Sequence, residues 1–176
     1  EDKIITLEGT KASLPYGSSS GNWGDSGKVF SSSNSGTPIG TDIIYFSNYE
    51  DTFYHLKADF PIEKMKELVR RAYANEDDGD CYSGKEYIYM DEEEHCKGYS
   101  PLKTLVFGFA PKGVVMVWLR YGFVQIEVGQ YQAEIVQDDK KYEEKLFASW
   151  SMNRKQVKER DFNPNASPDE WINYRN

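Results

Sequence analysis

An α+β fold built mainly on antiparallel sheet is what this sequence predicts, and three features point to it. Two strand-like runs flank Asn48-Tyr49-Glu50-Asp51, a segment able to turn the chain. A meander of further strands runs from Leu102 to Gln137, and one amphipathic helical pattern separates the two groups. One or two helices are expected near the C-terminus. A chain of 176 residues fits one domain, taken as residues 1–176.

Residues 17–40 are rich in Ser, Gly and Asn, a composition that disfavours regular structure, and Trp23, Val29 and Phe30 are the apolar groups that could pin this loop to a core. Thr41–Ser47 and Thr52–Phe60 carry β-branched and aromatic residues and are expected to pair as a hairpin. Pro61 suits a first helical turn. After it Ile62, Met65, Leu68, Val69, Ala72 and Tyr73 recur at three- and four-residue steps, which predicts a helix ending near Asn75.

The meander is expected as Leu102–Ala110, Val114–Tyr121, Phe123–Val128 and Tyr131–Gln137, with turns at Pro111-Lys112-Gly113 and Gly129-Gln130. Val124, Ile126 and Val128 alternate with Gln125 and Glu127, the pattern of one buried and one wet face. Val114–Leu119 is apolar on both faces and should be a central strand covered on both sides. Tyr142, Leu146, Phe147 and Trp150 stand at helical spacing within charged residues 138–160, so a helix is expected at least to Trp150. Ser167-Pro168-Asp169-Glu170 reads as a capping box opening a last short helix.

The longest apolar run, Val114–Leu119, falls far short of the roughly 20 residues of a transmembrane helix. A formal charge of −8 and a pI near 4.9 argue against nucleic acid as a partner, since binding phosphates needs clustered Lys and Arg. They favour a basic partner or serve solubility alone. The first residue is Glu1 rather than Met, consistent with a removed export signal or with a trimmed end. Cys81 and Cys96, the two cysteines, read as one disulfide in an exported protein and as two buried thiols otherwise.

Residues 76–100 are the most unusual stretch. Asp77, Asp78 and Asp80 stand at one end and Asp91, Glu92, Glu93 and Glu94 at the other, with Tyr82, Tyr87 and Tyr89 between them and both cysteines inside the stretch. Tyr supplies rigid contact area and the carboxylates steer a basic surface from a distance, so these residues are the candidate partner-binding site. The alternative is a solvated acidic loop.

The other chemistries find little support. His55 and His95 are the two candidates for the base of a Ser-His-Asp triad, and no Gly-x-Ser-x-Gly elbow surrounds any serine. Cys81, His95 and Cys96 lack zinc-site spacing. Placing Gly79 at the sixth position of a calcium loop puts Ala74 and Lys85 where acidic ligands are required. The chain is therefore expected to be a binding protein rather than an enzyme, with no cofactor and no metal.

The order of short motifs adds a family. Gly21-Asn22-Trp23-Gly24, Glu50-Asp51-Thr52-Phe53-Tyr54, Ala110-Pro111-Lys112-Gly113-Val114-Val115-Met116-Val117-Trp118 and Gln132-Ala133 succeed one another between Trp23 and Val136. This series resembles the bacterial lipoprotein family of domain of unknown function 2931. The resemblance implies a periplasmic domain tethered by a lipid anchor outside this numbering. Some such lipoproteins resemble immunity proteins encoded beside type VI secretion effectors, phospholipases among them. It therefore implies a protein partner, a secreted antibacterial effector, held so that its active site or membrane approach is occluded. The second reading is an envelope lipoprotein that binds glycan or peptide, or has a structural role. The family supplies no catalytic residues, and its motifs read as core and turn.

Overall fold

The computed structural model describes residues 2–9, 11–13, 36–74, 100–122 and 124–169. Two antiparallel sheets form the frame. Strands β1 (Lys3–Thr6) and β2 (Lys11–Ser13) precede the long hairpin of β3 (Pro38–Ser47) and β4 (Thr52–Asp59). Helix α1 (Ile62–Ala74) leads to β5 (Ser100–Phe109), β6 (Val114–Gly122) and β7 (Val124–Gln132). The two-residue β8 (Glu134–Ile135), α2 (Lys140–Phe147) and α3 (Arg154–Asp161) follow. The first sheet is ordered β2-β1-β3-β4-β8 and the second β5-β6-β7. The expected α+β class, with hairpin, meander, middle helix and C-terminal helices, is what the chain adopts.

The hairpin pairs without a shift from Gly40 with Asp59 to Ser47 with Thr52. One face of it, carrying Ile43, Tyr54, Leu56 and Ala58, shares a core with Val115, Val117, Leu119 and Tyr121 of β6 and with Ile126 and Val128 of β7. Met65, Leu68 and Val69 of α1 complete that core. Removing each such side chain from water stabilises the fold by about 1.5–3 kcal/mol. Strand β6 is central, as its two-sided apolar pattern requires, and Met116 and Trp118 on its second face are as buried as Val115 and Val117 on its first.

Several expectations need correction. Gly129-Gln130 does not turn the chain. Strand β7 runs through it, and the register shift between Val117 and Trp118 absorbs Val128 as a bulge. The expected strand Tyr131–Gln137 is split, because after Ala133 the chain leaves the second sheet and β8 pairs with β4 in the first. Gln125 does not face water: it is fully buried, and its side-chain oxygen accepts Arg120 Nε at 2.8 Å. Ile62 and Tyr73 fit the helical period but stand at the two ends of α1 and are exposed.

The charged C-terminal stretch is two helices rather than one. Helix α2 stops at Phe147, before Trp150. Helix α3 starts afresh at a capping box in which Asn153 accepts the Gln156 amide and Gln156 accepts the Asn153 amide. Ser167 Oγ accepts the Asp169 amide at 3.3 Å, while Glu170, the other half of the expected box, is outside the described residues. Strand β3 begins at Pro38, inside the segment expected as loop.

Candidate functional site

The two sheets meet where three distant segments interlock. Pro111-Lys112-Gly113 forms a single 3-10 turn between β5 and β6, with Lys112 at φ 60 and Gly113 at φ 72. Gly113 is required there for space as well as conformation. A Cβ would lie 2.7 Å from the Ala133 carbonyl oxygen, 2.9 Å from Gln132 Nε2 and 3.0 Å from Tyr54 Cδ1. The Ala133 amide donates to the Gly113 carbonyl at 2.7 Å, at the point where the chain passes from one sheet to the other.

Glu50, in the hairpin turn, ties this joint to the first sheet. Its Oε1 accepts the Lys112 amide at 2.7 Å and the Tyr54 hydroxyl at 3.0 Å, and its Oε2 accepts the Ser47 hydroxyl at 3.0 Å. Gln132 Nε2 donates to the carbonyls of Lys112 at 2.7 Å and Ala133 at 3.1 Å. Burial first, and then the Glu50 charge, push the Tyr54 phenol above its usual range, so it stays a proton donor. Three of the segments that carry the family-like motifs, those of Glu50–Tyr54, Pro111–Gly113 and Gln132-Ala133, thus converge on one joint.

Beside the joint lies an open groove of about 590 Å³. Lys112, Gln132 and Ile135 line it together with the later segment Phe162, Asn163 and Pro164. The latter segment is held by the Asn163 amide, which donates to the Tyr49 carbonyl at 2.8 Å. Ile135 and Phe162 are 57% and 45% exposed.

A second network fastens α2 and α3 to the outer face of the hairpin. Arg154 donates to Asp51 Oδ1 at 2.7 Å, Asp139 Oδ2 at 2.8 Å and Glu143 Oε2 at 2.9 Å, and to the Asp51 carbonyl at 2.7 Å. Its guanidinium also lies 5.5 Å from the Phe46 ring and 5.6 Å from the Phe53 ring. Burial opposes the Asp51 charge, yet hydrogen bonds from Arg154 and Lys158 outweigh it and hold the carboxyl below its ordinary range. Asp51 itself sits at φ 51, so the network fixes the turn as well as the helices.

His55 lies mid-strand in β4, as expected, with its side chain 41% exposed. Its Nε2 is 2.7 Å from Asp42 Oδ1. The His55 hydrogen bond, against a smaller effect of burial, holds Asp42 below its usual range. Among the described residues His55 hydrogen-bonds to this carboxylate and to no hydroxyl. Phe53, Tyr54 and Trp118 are buried, as their motifs suggest.

Asp77, Asp78, Asp80, Tyr82, Tyr87, Tyr89, Asp91, Glu92, Glu93 and Glu94 lie outside the described residues, as do Cys81, His95, Cys96 and Trp23. The groove residues Lys112, Ile135 and Phe162 were not anticipated from the sequence. The available signal was that Lys112 and Gln132 lie within two of the short motifs. Among the described residues no three of His, Cys, Asp and Glu are grouped to hold a metal, and no helix is long and apolar enough to cross a membrane.

Fold and joint together define a two-sheet α+β protein whose sheets are locked by a Glu, a Pro-x-Gly turn and a Gln-Ala crossing. The family described as Protein of unknown function (DUF2931) matches residues 2–168, and the chain belongs to it. No curated protein and no solved structure matches the chain.

Proposed function

We propose that this chain is a lipoprotein-type binding protein of the periplasm, an immunity protein that captures a secreted antibacterial effector of type VI secretion. A phospholipase effector would be neutralised by covering its active site or its approach to the membrane. The observation that carries this reading is the placement of charge. Residues 76–100 hold nine acidic and two basic side chains, whereas the rest of the chain has 20 acidic and 19 basic. Nearly all of the net charge of −8 thus belongs to one tyrosine-bearing segment, with Cys81 and Cys96 proposed to close it. Concentrated charge of one sign accelerates encounter with a basic surface by roughly tenfold to a thousandfold.

The resemblance to lipoproteins that accompany secreted effectors supports the same reading, and the interlocked joint supports a rigid scaffold. Affinity capture with the tagged chain from periplasmic extract, followed by mass spectrometry, tests it. Recovery of a secreted toxin is the expected result. Recovery of envelope structural proteins alone would reject the immunity reading and favour a structural or ligand-binding role in the envelope.

A further inference from the structure

We propose that the groove beside the sheet joint is a docking site for an extended segment of a protein partner, one that sets an apolar side chain against Ile135 and Phe162 and a carboxylate on Lys112. This surface is separate in sequence from residues 76–100 and goes beyond the reading above.

Charge is the first argument. The acid that lines the groove, Glu50, already accepts three hydrogen bonds from Ser47, Tyr54 and the Lys112 amide. The base is not engaged in this way: Lys112 uses its amide and carbonyl within the joint, and its ammonium has no carboxylate partner among the described residues. Glu50 keeps its charge, but both of its oxygens are taken up by donors of the joint, so the Lys112 ammonium is the charged group of the groove left to meet a partner. A carboxylate on the incoming segment complements it.

The backbone of Lys112 is the second argument. A non-glycine residue at φ 60 costs on the order of 1 kcal/mol. Glycine would adopt that conformation freely, yet a lysine occupies it, fixed at both its amide and its carbonyl, and its side chain lines the groove. Strain of this kind fits a side chain placed for contact.

The third argument is the strand edge. Val136 donates its amide to the Phe53 carbonyl at 2.9 Å, and Ile135 stands opposite Tyr54 in the next pair along. In antiparallel pairing the hydrogen-bonded and non-hydrogen-bonded pairs alternate, so the Ile135 amide and carbonyl point away from β4. Strand β8 is the last strand of its sheet, and an extended segment can add to that edge. An enclosed pocket would suit a small molecule, which typically has 70–90% of its surface buried. This groove is open to solvent and suits a chain.

A displayed random-peptide library, panned on the intact chain, tests the proposal without knowledge of the partner. Enriched sequences should pair Asp or Glu with a neighbouring large apolar residue. Synthetic copies should lose about tenfold or more in affinity for Lys112→Glu and for Ile135→Lys, two changes at exposed side chains whose unchanged melting temperature verifies folding. The same peptides should bind a chain with Asp91→Asn, Glu92→Gln, Glu93→Gln and Glu94→Gln normally, which separates this site from the acidic segment. The proposal is overturned if nothing is enriched, if enriched peptides bind both groove variants as well as the parent, or if decanoate occupies the groove while the peptides do not.

Discussion

Arg154 shows how one side chain can decide the attachment of two helices. It satisfies Asp51, Asp139 and Glu143 at once, with its side chain 21% exposed. Arg154→Met would leave these carboxylates facing one another, and we expect a loss of about 2–4 kcal/mol in chemical denaturation. The acid limb of stability should change as well. Asp51 in the folded chain titrates below its ordinary value of 3.8, so unfolding takes up protons. Its contribution is complete above about pH 4 and is lost as the pH falls through the folded value. The loss of stability on acidification should be shallower in Arg154→Met than in the parent. At this scale the sequence showed the large buried residues, Phe53, Tyr54 and Trp118, because their size leaves few other places. Arg154 was not legible, because its partners stand 11, 15 and 103 residues away. Gln125 was misread for a related reason: alternation reports polarity, whereas a polar side chain can be buried when another, here Arg120, meets it.

Hairpin and helix boundaries follow the same division between local and distant causes. The hairpin and α1 were legible to within a few residues, since period and turn chemistry are local. The break between α2 and α3 was not, although Asn153-Arg154-Lys155-Gln156 carries the cap, because charged residues on both sides continue the helical composition. Asn153→Ala should cost about 1 kcal/mol by removing that cap, read as a lower denaturation midpoint with an unchanged slope. The turn Pro111-Lys112-Gly113 was legible as a turn but not as a joint. Its meaning depends on Glu50 and Gln132, which arrive from other elements. Gly113→Ala forces a Cβ toward the Ala133 carbonyl, and the strained backbone and displaced crossing should cost about 2–4 kcal/mol. Thermal melts compared with Gly9→Ala check the local cause, because Gly9 also has positive φ but open space around its Cβ position.

For the whole molecule, two sheets share one core, and three of the family motifs meet at the joint between them. That explains why these motifs announce a fold before they announce a function: Glu50 and Gln132 both hydrogen-bond the Lys112 backbone, and Gly113 packs close to Gln132 and Tyr54. The candidate partner-binding residues lie in another part of the chain, where the net charge is gathered. The central claim is that this acidic segment captures a basic, secreted partner while the two-sheet frame stays unchanged. The direct test compares the parent with a chain carrying Asp91→Asn, Glu92→Gln, Glu93→Gln and Glu94→Gln, measuring the association rate with the effector recovered by affinity capture at several salt concentrations. We expect association to slow by about tenfold, its salt dependence to flatten, and the melting temperature to remain the same. Equal association rates for the two chains, or recovery of no secreted effector by the parent, would contradict the account.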